Sequence, residues 1–118
     1  SHYVLPVVKA SADELLQDLI PFQMNATNDK IAGMTCHVIY EAWDAENPAT
    51  LSKTIIQNII RGEIGFKGLL FSDDLKMKAL DKYGSMVDRV KLCLDAGCDI
   101  ALPCHTTLAE SRQILESL

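Results

Sequence analysis

Residues 68–74 read Gly-Leu-Leu-Phe-Ser-Asp-Asp, a short apolar run that ends in a hydroxyl and two carboxylates. Such a run is typical of a strand that is buried on both faces of a parallel sheet. We therefore predict a strand at 68–71, closed by Ser72-Asp73-Asp74. The chain around it has 118 residues, of which 48% are apolar and 23% charged. This composition is that of a folded domain with one modest core.

Helical patterns flank this strand on both sides. Segments with apolar residues at helical spacing or with capping signals are, in chain order, 12–20, 51–61, 85–95 and 107–118. Pro21 should end the first of these helices. Further apolar runs at 31–39 and 99–102 predict two more strands. The predicted order is one helix followed by three strand–helix units, which indicates an α/β fold with a parallel sheet.

Charge and cysteine usage exclude several classes of function. The net charge is −5 and the isoelectric point is about 5.0, so we expect no nucleic-acid partner. No apolar run approaches the length of a membrane span, and the first residues show no signal-peptide pattern. The four cysteines form no C-x-x-C pair and match no standard metal site. We therefore expect reduced thiols, a cytoplasmic protein and no membrane partner.

The carboxyl ends of parallel strands are where α/β proteins place their functional residues. Asp73 follows the predicted strand 68–71 and can act as a nucleophile, a base or a metal ligand. Equally, Asp73 or Asp74 can cap the helical turn at 75–80, because Asp is a favoured N-cap. His37 lies at the end of the predicted strand 31–39 and is either a hydrogen-bonded core residue or a site residue.

Three other residues have weaker patterns. His105 follows Pro103 at a turn and is expected to be a solvated loop residue. Trp43 lies in a long loop between 40 and 50, where it either stacks on a sugar or fills the mouth of a cleft. By spacing alone, His2 is indistinguishable from the remainder of a purification tag.

Several motifs resemble those of the bacterial β-N-acetylhexosaminidases of glycoside hydrolase family 3. In the family's order they are Ser1-His-Tyr-Val-Leu-Pro6, Asp18-Leu-Ile-Pro-Phe22, Met34-Thr-Cys-His-Val38, Pro48-Ala-Thr-Leu-Ser52, Gly65-Phe-Lys-Gly68, Phe71-Ser-Asp-Asp-Leu-Lys-Met77 and Ala96-Gly-Cys-Asp99. The Ser-Asp-Asp-Leu-x-Met element is the most specific of these. The family's Asp two positions before the histidine of its Asp-Ser-His motif would precede Ser1, and the family's Lys-His-Phe-Pro-Gly-His-Gly segment is also absent.

The resemblance implies a fold and a chemistry. Residues 1–118 would form the C-terminal part of a (β/α)8 TIM-type barrel, namely its last three strand–helix units and the helix before them. Asp73 would be the nucleophile and His2 the general acid/base, with His37 in a substrate-binding or supporting role. The implied reaction is retaining hydrolysis of terminal β-linked N-acetylglucosamine from glycosides such as peptidoglycan fragments, without a cofactor. The partners would be this carbohydrate and the N-terminal barrel segment.

Two alternatives remain open at this level. The chain is either part of an active enzyme or a truncated, non-catalytic remnant or binding domain of the same fold. A metal-dependent α/β enzyme that uses Asp73, Asp74 and His37 is a third possibility. An open piece of parallel sheet leaves strand edges uncovered, so we expect the 118-residue chain alone to be weakly active or inactive.

Overall fold

The computed structural model describes residues 3–28 and 30–118. The acid/base candidate His2 lies outside the described residues. Five strands are interspersed with helices and helical turns along the described chain. In order, the elements are β1 (Val7–Val8), α1 (Ala12–Asp18), α2 (Ile20–Asn25), β2 (Gly33–Met34), β3 (Ile39–Tyr40), a 3-10 helix (Ala49–Leu51), a π-helix (Ile55–Glu63), β4 (Leu70–Asp74), a second 3-10 helix (Lys78–Tyr83), α3 (Met86–Ala96), β5 (Ile100–Leu102) and α4 (Leu108–Ser117).

The named strands pair in parallel. β1 pairs with β3, β2 pairs with β4, and β4 pairs with β5. These pairings confirm the prediction of an α/β fold with parallel strands. Because all of these strands run in the same direction, the carboxyl ends of β4 and β5 lie on one side of the sheet. The two carboxylates of β4 lie at that edge.

The predicted strand 31–39 is interrupted rather than continuous. The N–H of Thr35 donates to the carbonyl of Phe71 at 2.9 Å, which continues the ladder between β2 and β4. The N–H of Ile39 instead donates to the carbonyl of Pro6, also at 2.9 Å, at the start of β1. The chain therefore changes its neighbouring strand between Thr35 and Ile39, and the intervening residues leave the ladder.

The predicted element order was wrong at its start. β1 precedes the first helix, so the chain does not begin with a helix followed by three strand–helix units. β1 has two residues, which is too short for a period to be visible in the sequence. The bounds of the strand predicted at 68–71 also differ, because this strand begins at Leu70 and includes Asp73 and Asp74.

The first predicted helix is also divided. The capping box of Ser11 and Glu14 is present, and α1 begins where it was expected. α1 ends at Asp18, however, and α2 continues past Pro21. Proline is tolerated there because it lies in the first turn of α2, where its missing N–H costs no helical hydrogen bond. Pro21 therefore starts a helix instead of ending one.

The helix predicted at 51–61 is a 3-10 turn followed by a π-helix. The N–H of Ile64 donates to the carbonyl of Ile59 at 2.8 Å, five residues earlier, as a π-helix requires. Gly62 lies within this helix and not beyond its end, whereas Gly65 has a φ of +73° just after it. By contrast, α3 and α4 follow their predicted ranges closely, and Gly97 ends α3 in the left-handed conformation.

The π-helix joins two apolar clusters. Ile56 is fully buried in the larger cluster, whose other buried members are Leu51, Phe66, Leu70, Leu75, Leu80, Val90, Cys93, Ala96, Cys98 and Ile114. Ile55 and Ile59 belong to the second cluster, together with Leu19 and Ala49. In the described residues, no helix combines the length and the apolar character that crossing a bilayer requires.

The position of Ile56 predicts a stability effect. In the full-length protein, Ile56→Ala should lower the free energy of unfolding by about 2–5 kcal/mol, because it removes buried methyl groups and leaves a cavity. Asn58→Ala on the exposed side of the same helix should change it by less than about 0.5 kcal/mol. Urea unfolding measures both values, and equal losses for the two variants would contradict the assignment of Ile56 to the core.

Candidate active site

The carboxyl end of β4 is irregular, and its two carboxylates lie at the same edge of the sheet as the end of β5. The register between the two strands shifts between Phe71 and Asp74. In this region the fully buried hydroxyl of Ser72 accepts the N–H of Leu102 at 2.8 Å. A side-chain oxygen thus takes the part of a ladder carbonyl. Irregularities of this kind redirect side chains at the ends of strands.

Asp74 connects the loops that follow β4 and β5. Its Oδ1 accepts the N–H of Lys76 at 2.9 Å and the N–H of Cys104 at 3.1 Å. The N–H of Leu75 donates to the carbonyl of Leu102 at 2.9 Å and reinforces the same junction. Asp74 therefore holds the turn after β4 and joins it to the loop after β5. The predicted cap of a helical turn at 75–80 is wrong, because the 3-10 helix begins only at Lys78 and has Met77 as its N-cap, with no side-chain hydrogen bond.

The Asp73 carboxylate makes a different kind of contact. The side chain is half-buried, and its Oδ1 accepts the N–H of Asp74 at 2.8 Å. Within the described residues, this bond to the adjacent residue is the hydrogen bond that the structure records for the Asp73 carboxylate. The arrangement fixes one carboxylate oxygen without using it to join separate elements.

His37 is 4% exposed, and both of its ring nitrogens meet protein atoms. Nε2 lies 2.8 Å from the carbonyl of Asp74, and Nδ1 lies 2.9 Å from the hydroxyl of Thr50. The hydroxyl of Thr35 donates to the same Thr50 oxygen at 2.9 Å. The ring thus links the interrupted strand segment 33–40 to the residue that follows Asp73.

Thr35 and Thr50 were not among the predicted site residues. Both are buried, at 6% and 0% exposure. A buried threonine in an apolar segment has no periodic signature of its own. The signal that was available is their position: each lies within a motif of the family resemblance, Met34–Val38 or Pro48–Ser52.

His105 and Cys104 lie beyond β5. His105 is exposed, has a φ of +54°, and its carbonyl accepts the Lys76 ammonium at 2.8 Å, so its ring is the loop side chain that was expected. Burial, together with the nearby charges of Asp74 and Asp73, raises the pKa of the Cys104 thiol. This thiol therefore stays protonated at neutral pH and is a poor nucleophile.

Trp43 packs against Tyr40 and the second apolar cluster. Its ring lies 5.5 Å from that of Tyr40, and it contacts the second apolar cluster. Both aromatic residues line a cavity of about 520 Å³, and Asp73 is not among the residues that line it. Burial raises the pKa of Tyr40 to about 12. Trp43 is accordingly a residue that packs against the second apolar cluster.

The loop that carries Trp43 is held by Asp44. The Ser52 hydroxyl donates to Oδ2 of Asp44 at 2.6 Å, and the N–H groups of Glu46 and Asn47 each donate to Oδ1 at 3.0 Å. Burial opposes the charge, but these hydrogen bonds outweigh it and lower the pKa of Asp44. The long loop from 40 to 50 is therefore an anchored turn.

The geometry does not favour a metal centre made of Asp73, Asp74 and His37. The ring nitrogens of His37 and one oxygen of Asp74 already bond to protein groups. In the described part of the chain, no three His, Cys, Asp or Glu side chains are grouped as metal ligands.

The sequence matches the family description "Glycosyl hydrolase family 3 N terminal domain" over residues 1–118. The chain belongs to this family. The beta-hexosaminidase of Stenotrophomonas maltophilia (strain K279a) is 43% identical over 111 residues, which are 93% of this chain and 33% of that protein. The beta-hexosaminidase of Thiobacillus denitrificans is 42% identical over 112 residues, and the match covers 93% of this chain and 31% of that protein. The chain thus spans about a third of the length of the curated relatives it matches.

Solved family 3 structures share the fold. A beta-N-acetylglucosaminidase from Paenibacillus sp. str. FPU-7 has a TM-score of 0.89 and 32% identity, and the match covers 100% of this chain and 23% of that one. NagZ from Neisseria gonorrhoeae in complex with N-trifluoroacetyl-D-glucosamine has a TM-score of 0.78 and 38% identity, with 98% of this chain and 31% of that one covered.

The two contacts of Asp74 predict how substitution there affects stability. Asp74→Ala removes the acceptor for two backbone N–H groups and should lower the free energy of unfolding by about 1–3 kcal/mol. Asp74→Asn retains an oxygen acceptor and should lose much less. Chemical unfolding of the full-length protein compares the two variants. If Asn were as damaging as Ala, the negative charge and not the acceptor geometry would hold this junction.

Proposed function

We propose that the full-length protein hydrolyses terminal β-linked N-acetylglucosamine from glycosides such as peptidoglycan fragments. The observation that carries the proposal is Asp73 at the carboxyl end of β4, with its neighbour Asp74 committed to the turn. Family membership and relatives named beta-hexosaminidase support the reaction class. The Neisseria NagZ structure with N-trifluoroacetyl-D-glucosamine supports an N-acylated glucosamine as the sugar.

We propose that the chain forms the C-terminal part of a (β/α)8 barrel. When β2 and β3 are taken as one strand segment, β1, this segment, β4 and β5 pair in chain order, as neighbouring barrel strands do. The relatives are about three times as long as the matched region, so a preceding segment of the full-length protein would supply the other barrel strands. A cytoplasmic location stays a prediction, and the four free cysteines support it.

The proposed mechanism is a double displacement. In the first step, a carboxylate oxygen of Asp73 bonds to the anomeric carbon while the glycosidic C–O bond breaks, and His2 gives a proton to the leaving oxygen. In the second step, His2 takes a proton from water, the water oxygen bonds to the anomeric carbon, and the ester to Asp73 breaks. An imidazole suits both proton transfers because its ordinary pKa lies near ~6.5.

His37 has a supporting role in this proposal. The sequence suggested either substrate binding or support, and its buried ring already bonds to Thr50 and Asp74 through its two nitrogens. A sugar hydroxyl would have to displace one of these partners. Holding the backbone next to Asp73 requires no such exchange.

The nucleophile assignment predicts that Asp73→Asn abolishes turnover of an aryl β-N-acetylglucosaminide by the full-length protein. The amide cannot form the glycosyl ester, and we expect a loss of at least about 1,000-fold. A mechanism-based fluorosugar should label the peptide that contains Asp73. Asp74→Asn is the matched control, since it changes the adjacent acid and should retain measurable activity. Undiminished turnover by Asp73→Asn would disprove the assignment, and an inert wild-type protein would favour the non-catalytic alternative.

The acid/base assignment predicts a dependence on the leaving group. His2→Gln should slow hydrolysis of substrates with a poor leaving group, such as a sugar alcohol, far more than that of a dinitrophenyl glycoside, which departs without a proton. Plots of log kcat/KM against leaving-group pKa measure the difference. His105→Gln is the control and should leave the slope unchanged. A wild-type slope for His2→Gln would assign the proton transfer to another group.

A further inference from the structure

Thr50 is a buried residue that is linked through His37 to Asp74, the neighbour of the proposed nucleophile. It lies in the 3-10 helix Ala49–Leu51 and is 0% exposed. Its N–H donates to the carbonyl of Cys36 at 3.2 Å, which holds the helix against the strand segment 33–40. Its hydroxyl lies between the hydroxyl of Thr35 and Nδ1 of His37, at 2.9 Å from each.

The hydrogen bonds that link Thr35, Thr50, His37 and Asp74 form a series, and the chemistry of the atoms fixes which one donates in each bond. The carbonyl of Asp74 can only accept, so Nε2 of His37 carries a proton and donates to it. With the proton on Nε2, the neutral ring has a lone pair on Nδ1, which accepts the Thr50 hydroxyl. The Thr50 oxygen in turn accepts the hydroxyl of Thr35. Every group in this series of hydrogen bonds is then satisfied: the Asp74 carbonyl sets the tautomer of His37, and the Thr50 hydroxyl restrains the Nδ1 side of the ring.

This series of hydrogen bonds ends at Asp74, the residue that orients Asp73. The N–H of Asp74 donates to Oδ1 of Asp73, while its side chain holds the turn and its carbonyl meets His37. If His37 lost its tautomer or its orientation, the backbone of Asp74 would lose one of these restraints. The N–H that fixes the Asp73 carboxylate would then move with it.

We infer that Thr50 is a positioning residue for the nucleophile, acting through His37 and the backbone of Asp74. This inference rests on the proposed function, because it assigns Thr50 to the step in which Asp73 attacks the sugar. Displacement of a reacting group by about 1 Å can cost about 100-fold in rate. The hydroxyl of Thr50 should therefore affect the rate at which the glycosyl-enzyme forms, with little effect on sugar affinity.

The experiment compares Thr50→Val, which preserves shape and removes the hydroxyl, with Thr50→Ser, which retains the hydroxyl, in the full-length protein. With an aryl β-N-acetylglucosaminide, Thr50→Val should lower kcat/KM by about 10- to 100-fold, while the dissociation constant for N-acetylglucosamine stays near the wild-type value. Thr50→Ser should retain most of the activity. Thr35→Val is the matched control, because it removes a buried hydroxyl of the same chain but leaves the bond from Thr50 to His37 in place.

Imidazole nitrogen NMR of the wild-type protein tests the same inference without a variant. We expect His37 to have a protonated Nε2 and an unprotonated Nδ1, and Thr50→Val should shift the Nδ1 resonance toward that of a nitrogen without a hydrogen-bond donor while Nε2 stays protonated. A protonated Nδ1 in the wild type would overturn the inference, as would equal losses of activity in folded Thr50→Val and Thr50→Ser. Wild-type kcat/KM in Thr50→Val beside an inactive Asp73→Asn would overturn it and leave the proposed function intact. An active Asp73→Asn would instead overturn the proposed function.

Discussion

The hydrogen bond from Nε2 of His37 to the carbonyl of Asp74 joins the strand segment 33–40 to the end of β4, beyond the residues that pair these two segments. On one side, the chain has left the ladder with β4 after Thr35. On the other, β4 has shifted its register against β5. Among the described residues, the two segments do not pair with each other through their backbones at this position, although Asp74 still pairs with Leu102 of β5. The contact between a side chain and a carbonyl therefore substitutes for sheet hydrogen bonds that the geometry no longer provides.

This substitution explains why two adjacent carboxylates can have different tasks. Alternation along a strand sends neighbouring side chains in opposite directions, and the irregular end of β4 adds a turn to that difference. Asp74 faces the loop after β5, where two N–H groups need an acceptor. Asp73 receives its hydrogen bond from the N–H of Asp74. Burying two adjacent charges would be costly. Of these two carboxylates, only that of Asp74 connects separate elements.

The parts of the fold that could be predicted from the sequence are those with local signals. The capping boxes at Ser11 and Thr107 placed the starts of α1 and α4, and Gly97 placed the end of α3, because each depends on residues within one turn. β1 could not be predicted, because its two residues acquire strand geometry only by pairing with β3. The break in the strand segment 33–40 likewise follows from a change of neighbour that no local pattern encodes.

The candidate site divides in the same way. Strand-end reasoning reached Asp73 and His37, because the carboxyl edge of a parallel sheet is a property of the fold class. It could not separate Asp73 from Asp74, since that distinction depends on which N–H groups lie opposite in the folded chain. It also missed Thr50, which is distant from Asp73 in sequence and contacts His37 through the packing of a 3-10 helix.

The contacts that hold Asp74 in place come from a small part of the fold, and this matters for the proposed role of its neighbour Asp73. A nucleophile must be held within a fraction of an ångström of its line of attack, so its supports have to be rigid and close. The contacts that hold Asp74 come from β4, the strand segment 33–40 and the loop after β5, all within one third of the relatives' length. If Asp73 is the nucleophile, as we propose, its positioning thus depends on neighbouring units of one sheet.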